Sequence, residues 1–196
     1  TRADASNTLG MMFPGHGVDG AIHAGLERLV TDYLGKEWSR GGALMRLDRL
    51  LVDSGYKPAI VADVKRRCGG SVMMLSKGVG IRAGRRPFAA YARKPGETIG
   101  DHWYVPNVRR TAQFPHVLID TNFWKSFVHD GLAAPPADRG CIGLYGTAKT
   151  DHALFAEHIA RSESWVEVTG PHGTVREWSP LPTKPDNHWL DCMVGC

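Results

Sequence analysis

The sequence predicts an α/β protein, and three observations carry that prediction. A helical pattern precedes the stretch Met45–Asp53, which reads as a buried strand. A second helical pattern follows from Pro58 to Arg67, and the continuous apolar run Val72-Met73-Met74-Leu75 comes next. An apolar run of that kind is expected of a strand covered on both faces, and helix–strand–helix–strand order favours a parallel pair. The chain has 196 residues, enough for one domain or slightly more with a real core.

Composition narrows the class. Hydrophobic content is 42% and charged content 22%, as in ordinary globular proteins, so neither a disordered nor a fibrous chain is indicated. The net charge of +4 allows an anionic partner without identifying one. Cys68, Cys141, Cys192 and Cys196 are too sparse for a disulfide scaffold and fit a reducing cytoplasm. No apolar run is long enough for a membrane span, and Thr1-Arg2-Ala3-Asp4 opens no signal peptide. The missing initiator Met and a last helical pattern without an exit signal suggest a fragment of a longer chain.

Residues 1–19 are polar and glycine-rich and read as a linker or loop, leaving 20–196 as the folded domain. From Gly20 to Trp38, apolar residues recur at helical spacing, and the Arg40-Gly41-Gly42 run ends that helix. The strand at 45–53 then ends on Asp53 and turns at Gly55. Asp53 has two readings. It caps the following helix, or it stands where ligands gather at the carboxyl ends of parallel strands. Pro58 suits the first turn of the next helix, and Lys65, Arg66 and Arg67 suit its last.

Residues 76–101 read as a basic loop. Lys77, Arg82, Arg85, Arg86, Arg93 and Lys94 stand among glycines and prolines with only Glu97 and Asp101 opposing them. Such a run is either a solvated surface or a nucleic-acid contact. His102–Val105 and Val117–Asp120 read as paired strands, and Thr121 or Asn122 as the cap of a helix carrying Phe123, Trp124, Phe127, Val128 and Leu132. The three aromatics are expected in the core. Cys141–Tyr145 reads as a short strand, Thr150 or Asp151 as a helix start, and Trp165–Val168 with Thr174–Trp178 as a hairpin. A final helix begins at Asp186 or Asn187.

The chain has neither a Walker A loop nor a G-x-S-x-G elbow. Carboxylates remain as the chemistry: Asp53, Asp120 and Asp191. Hard divalent cations are held by such oxygens, and paired metals drive phosphodiester hydrolysis. His188, Cys192 and Cys196 share a helical face, but their spacing lacks a zinc knuckle, and half-buried packing is the better account of the two cysteines.

Several short motifs in a common order now matter together. Leu51-Val52-Asp53-Ser54-Gly55-Tyr56 looks like the Asp-Ser-Gly-Tyr strand end of the C-terminal nuclease domain of GpA-type phage terminase large subunits. Val61–Arg67 is similar to the helix after it, and Ser76-Lys77-Gly78 resembles that family's Lys-Gly pair. Asp120–Lys125 resembles its Asn-x-x-Lys helix start, and Asp186–Cys192 its closing Asn-Glu-x-Leu-Asp-Cys helix. The resemblance runs from the Gly20–Trp38 helix to the end of the chain.

The resemblance implies a ribonuclease H-like mixed sheet flanked by helices, here lacking its first strands. It implies a Mg²⁺- or Mn²⁺-dependent endonuclease with a two-metal site that cuts concatemeric viral DNA during packaging in the host cytoplasm. The implied partners are double-stranded viral DNA and, in the full protein, a terminase small subunit and the portal. Asp53 and Asp191 become the implied catalytic carboxylates and metal ligands. His188 stands where the family often has Glu, so that, if the Glu is a ligand, either His188 replaces it as a third candidate or the site is altered, and Lys77 and Lys125 become phosphate contacts beside Arg82, Arg85 and Arg86. The family's first metal-binding Asp is expected upstream of this chain, so the 196 residues alone are expected to be inactive. Two other readings stay open: a DNA-gripping domain without cleavage, and an α/β scaffold with no nucleic-acid partner.

Overall fold

A computed structural model describes residues 8–108, 114–144, 146, 151–183 and 186–196. The fold is mixed α/β. Its main sheet has five strands in the order β3-β4-β7-β6-β5, numbered along the chain as Leu50–Asp53 (β3), Met73–Gly78 (β4), Thr98–Ile99 (β5), Trp103–Val105 (β6) and His116–Ile119 (β7). Two compact units divide the chain: residues 1–77 with 107–117, and residues 78–106 with 118–196. No helix among the described residues is long and apolar enough to cross a membrane.

The first unit holds α1 (Leu9–Met12), α2 (Gly17–Gly35), the strands β1 (Trp38–Arg40) and β2 (Ala43–Met45), then β3, α3 (Pro58–Val64) and β4. Its core is Val30 of α2, Val61 and Val64 of α3, and Met73 and Leu75 of β4, with Leu26, Leu34 and Val52 packed against them. Leu26, Val30 and Leu34 recur every four residues, so one helical face is buried. β3 and β4 are parallel, with Leu50 opposite Met73 and Asp53 opposite Ser76. That is the pairing expected from the helix between them.

Two boundaries differ from expectation. The long strand at 45–53 is only its last four residues, because Ala43–Met45 folds back on Trp38–Arg40 as a hairpin. Gly41 and Gly42, which read as a helix exit, make that turn instead, both at positive φ (57° and 83°) as a tight hairpin turn requires. The loop expected up to residue 19 contains the single turn of α1, and α2 begins at Gly17.

The second unit holds β5, β6 and the end of β7, then α4 (Thr121–Ala133), α5 (Ala153–Ala160), the hairpin β8 (Glu163–Gly170) and β9 (Gly173–Pro180), and α6 (His188–Gly195). β6 runs antiparallel to both β5 and β7, as expected for the second pair. The hairpin is longer than expected but keeps its turn, with Gly170 opposite Gly173. Residues 141–144 form no strand, and Tyr145 and Thr150 lie outside the described residues. The aromatics of α4 are not core: Phe123 is 36% and Phe127 48% exposed.

An aromatic cluster closes the β5–β6 end. Phe88, Tyr91 and Tyr104 pack with ring centroids 5.5–6.0 Å apart, and the Tyr104 hydroxyl donates to Glu97 Oε1 at 2.6 Å. Burial first, and then the Glu97 carboxylate, push the Tyr104 phenol up to about 12. Because the folded value lies above the unfolded one, near 10, this contribution to stability is complete below pH 10 and is lost as pH rises through about 12. In a tyrosinate absorbance titration, the last step should centre near pH 12 and should vanish in Tyr104→Phe. A titration whose latest step is the same in wild type and variant would refute this.

Candidate functional site

Asp53 ends β3 in the first unit and is exposed. Its position follows from the register. Ser54 donates both its backbone N–H (2.8 Å) and its hydroxyl (2.9 Å) to the Ser76 carbonyl, which ties the strand end to β4. Gly55 N–H donates to Asp53 Oδ1 at 3.2 Å. The chain then passes through Lys57 at φ 50°, a left-handed conformation uncommon for a side-chain-bearing residue. Lys57 Nζ is held 2.8 Å from Asp19 Oδ1. Asp53 therefore does not cap α3, whose N-cap residue is Lys57 and makes no side-chain cap. Lys77, also in the first unit, is exposed near the end of β4.

In the second unit the constellation is built on the first turns of α4. Asp120 is the N-cap. Its buried carboxylate accepts from the N–H groups of Asn122 and Phe123, and Oδ1 also accepts from Ile81 N–H at 3.1 Å. Burial pushes this carboxyl above its ordinary value, while those bonds and His102, 3.7 Å away, pull it back. Thus the helix is capped by Asp120 rather than by Thr121 or Asn122. Asn122 is buried and bridges two segments, donating to the Ile81 carbonyl (3.1 Å) and accepting from Trp178 N–H (3.0 Å). Gly78 is needed where the chain passes this turn, since a Cβ there would lie 2.8 Å from Thr121.

These bonds organise the basic loop. Ile81 and Ala83 are buried at 3% and 1%, while Arg82, Arg85 and Arg86 are exposed. Ala83 N–H donates to Glu177 Oε1 at 3.1 Å, and Arg82 Nε lies 3.8 Å from Glu177 Oε2. A turn bond from Arg85 N–H to the Arg82 carbonyl sets the tip. A cleft of about 240 Å³ opens beside it, lined by Gly80, Arg82, Thr121, Asn122, Lys125, Glu177, Trp178 and Ser179.

Lys125, one turn along α4, is 8% exposed. Its Nζ lies 2.6 Å from Glu163 Oε1 and 3.3 Å from Asp191 Oδ1. Asn187 Nδ2 donates to the same Glu163 oxygen at 2.7 Å. The side chain of Glu163 is 3% exposed and that of Asp191 is 51% exposed. The phosphate contact implied for Lys125 would therefore compete with two carboxylates. Sequence reasoning missed Glu163, which stands in a polar stretch with nothing local to mark it. It missed Glu177 and the bridging role of Asn122 for the same reason. His188 is exposed, with Nε2 3.6 Å from Asp186 Oδ1. Cys192 and Cys196 are exposed, and burial pushes the Cys192 thiol above its ordinary value.

Asp53 and Asp191 have the oxygen donors that a hard divalent cation takes. Among the described residues, however, no group of three His, Cys, Asp or Glu side chains is arranged to hold a metal ion. Asp191 already faces an ammonium group. The described residues do not by themselves form a metal cage.

A family model, described as "Terminase large subunit gpA, endonuclease domain", matches residues 20–196. No curated protein and no solved structure matches the chain. Because the match runs through both compact units and leaves out only the first 19 residues, the chain belongs to the family of terminase large subunit gpA endonuclease domains.

Proposed function

We propose that this chain is the metal-dependent endonuclease domain of a phage terminase large subunit, cutting concatemeric viral DNA during packaging. The observation that carries the reading is the family match over residues 20–196, which contains the Asp53 strand end and the Asp191 helix. Mg²⁺ or Mn²⁺ is the proposed cofactor, with Asp53 and Asp191 as the carboxylate ligands and His188 as a third candidate. When bound, such ions activate water and stabilise the leaving oxygen. Ser54 ties the strand end that carries Asp53 to β4, and Lys125 Nζ stands 3.3 Å from Asp191 Oδ1 on α6.

Arg82, Arg85 and Arg86, with Lys77, are proposed to bind the phosphate backbone. The arginine loop is pinned by Ile81 and Ala83, so those side chains face outward at little cost in ordering. The large subunit would work in the host cytoplasm beside a small subunit and the portal. The exposed arginines of the basic loop, Arg82, Arg85 and Arg86, favour one second reading, a domain that grips DNA without cutting it.

Two experiments separate the readings. In the full large subunit, Asp53→Asn or Asp191→Asn should abolish Mn²⁺-dependent nicking of plasmid DNA and leave DNA binding intact, whereas the 196-residue chain should be inactive even before substitution. Undiminished nicking by either variant refutes the assignment of the acids, and a large subunit that never nicks favours the gripping domain. Separately, replacing Arg82, Arg85 and Arg86 together with Ala should weaken binding to all duplex sequences alike. It should lower the slope of log K against log salt by about 1 for each phosphate that is no longer neutralised. A slope equal to that of wild type would remove the loop from the interface.

A further inference from the structure

The acid expected to ligate metal in the second unit is in contact with a cation that belongs to the chain. Lys125 Nζ stands 3.3 Å from Asp191 Oδ1 and 2.6 Å from the buried Glu163, whose same oxygen accepts from Asn187. Two carboxylates and one ammonium leave the cluster a single net negative charge. A hard divalent ion needs several anionic oxygens to replace its water. Breaking a buried pair by removing one partner is costly, so the Glu163 bond anchors Lys125 in place. Asp191 is the exposed member and opens to solvent, while the ammonium approaches it from the buried side.

We propose that Lys125 is a positioning residue, a tethered counter-ion that orients Asp191 and lowers the affinity of any divalent cation for it. The geometry stands on its own. Its meaning for cleavage rests on the reading of Asp191 as an acid of the nuclease site. On this account the Asn-x-x-Lys helix start carries the balance of charge around Asp191, with Glu163 as the anchor that keeps the ammonium from leaving.

The test measures Mn²⁺ binding to the full chain without DNA, from the loss of the free-ion EPR signal. Lys125→Met should bind Mn²⁺ about tenfold more tightly, since an adjacent positive charge is removed. Lys125→Arg, which keeps the charge, should match wild type, and adding Asp191→Asn to Lys125→Met should abolish the gain. Equal or weaker binding by Lys125→Met, or a gain that survives Asp191→Asn, overturns the proposal. Should Lys125→Met not fold, Glu163→Gln tests the same coupling in the opposite sense. The ammonium then turns wholly to Asp191, and Mn²⁺ binding should weaken about threefold. Unchanged binding by Glu163→Gln overturns the proposal equally. Because the readout is ion binding, a failure of the nicking assays would count against the nuclease reading and leave this coupling standing.

Discussion

Asp120, Asn122 and Lys125 occupy the start of α4, and their polar atoms fix where three remote segments of the second unit lie. Asp120 caps the helix and holds Ile81. Asn122 joins Ile81 to Trp178, spanning 41 residues one way and 56 the other. Lys125 holds Glu163 and reaches Asp191 on α6. Each of these groups is buried, so each must find a partner or cost the free energy of its desolvation, on the order of 1–3 kcal/mol for a neutral group. The partners come from the loop, the hairpin and the last helix, which ties those elements to a single helical turn. Buried polar networks of this kind specify one arrangement more sharply than apolar packing does, because a shift of one residue leaves donors unmatched.

That constraint also fixes the backbone of the basic loop. Ile81 and Ala83 alternate inward and Arg82 outward, as in a short extended segment, because the inward backbone groups have fixed acceptors in Asp120 and Glu177. Gly170 lies so close to this segment that a Cβ would come within 2.4 Å of the Ala83 carbonyl. The hairpin and the loop therefore share one surface of the second unit.

The α/β class, the parallel β3–β4 pair, the β6–β7 pair and the 163–180 hairpin were all legible in the sequence, because each is written in local periodicity and turn residues. Asp53 was legible as a strand-end acid for the same reason. The β1–β2 hairpin was not, since Gly41-Gly42 ends a helix as plausibly as it turns a strand. Glu163 was invisible because its burial is decided by a lysine 38 residues away. The short motifs were recognisable as a set, yet Ser54, Gly78, Asn122 and Asn187 prove to be fasteners: they hold strand ends, allow close approach or satisfy buried atoms.

The helix α4 shows where pattern reading chose the wrong face and why. Its apolar residues Phe123, Trp124, Phe127 and Val128 suggest a buried stripe, but the buried residues are Asn122, Lys125, Val128 and Gly131. These recur every three residues along one face of the helix. Gly131 is part of that face because a Cβ there would meet Ile142 at 2.8 Å. Hydrophobicity counts Asn and Lys as outward residues, so a helix whose inner face is polar looks inverted. Local rules fail in this way where a chain gives up apolar burial to place specific polar groups. On α4 the exchange leaves Phe123 and Phe127 half-exposed, with Phe123 stacked on His102, and places the ammonium of Lys125 between two carboxylates.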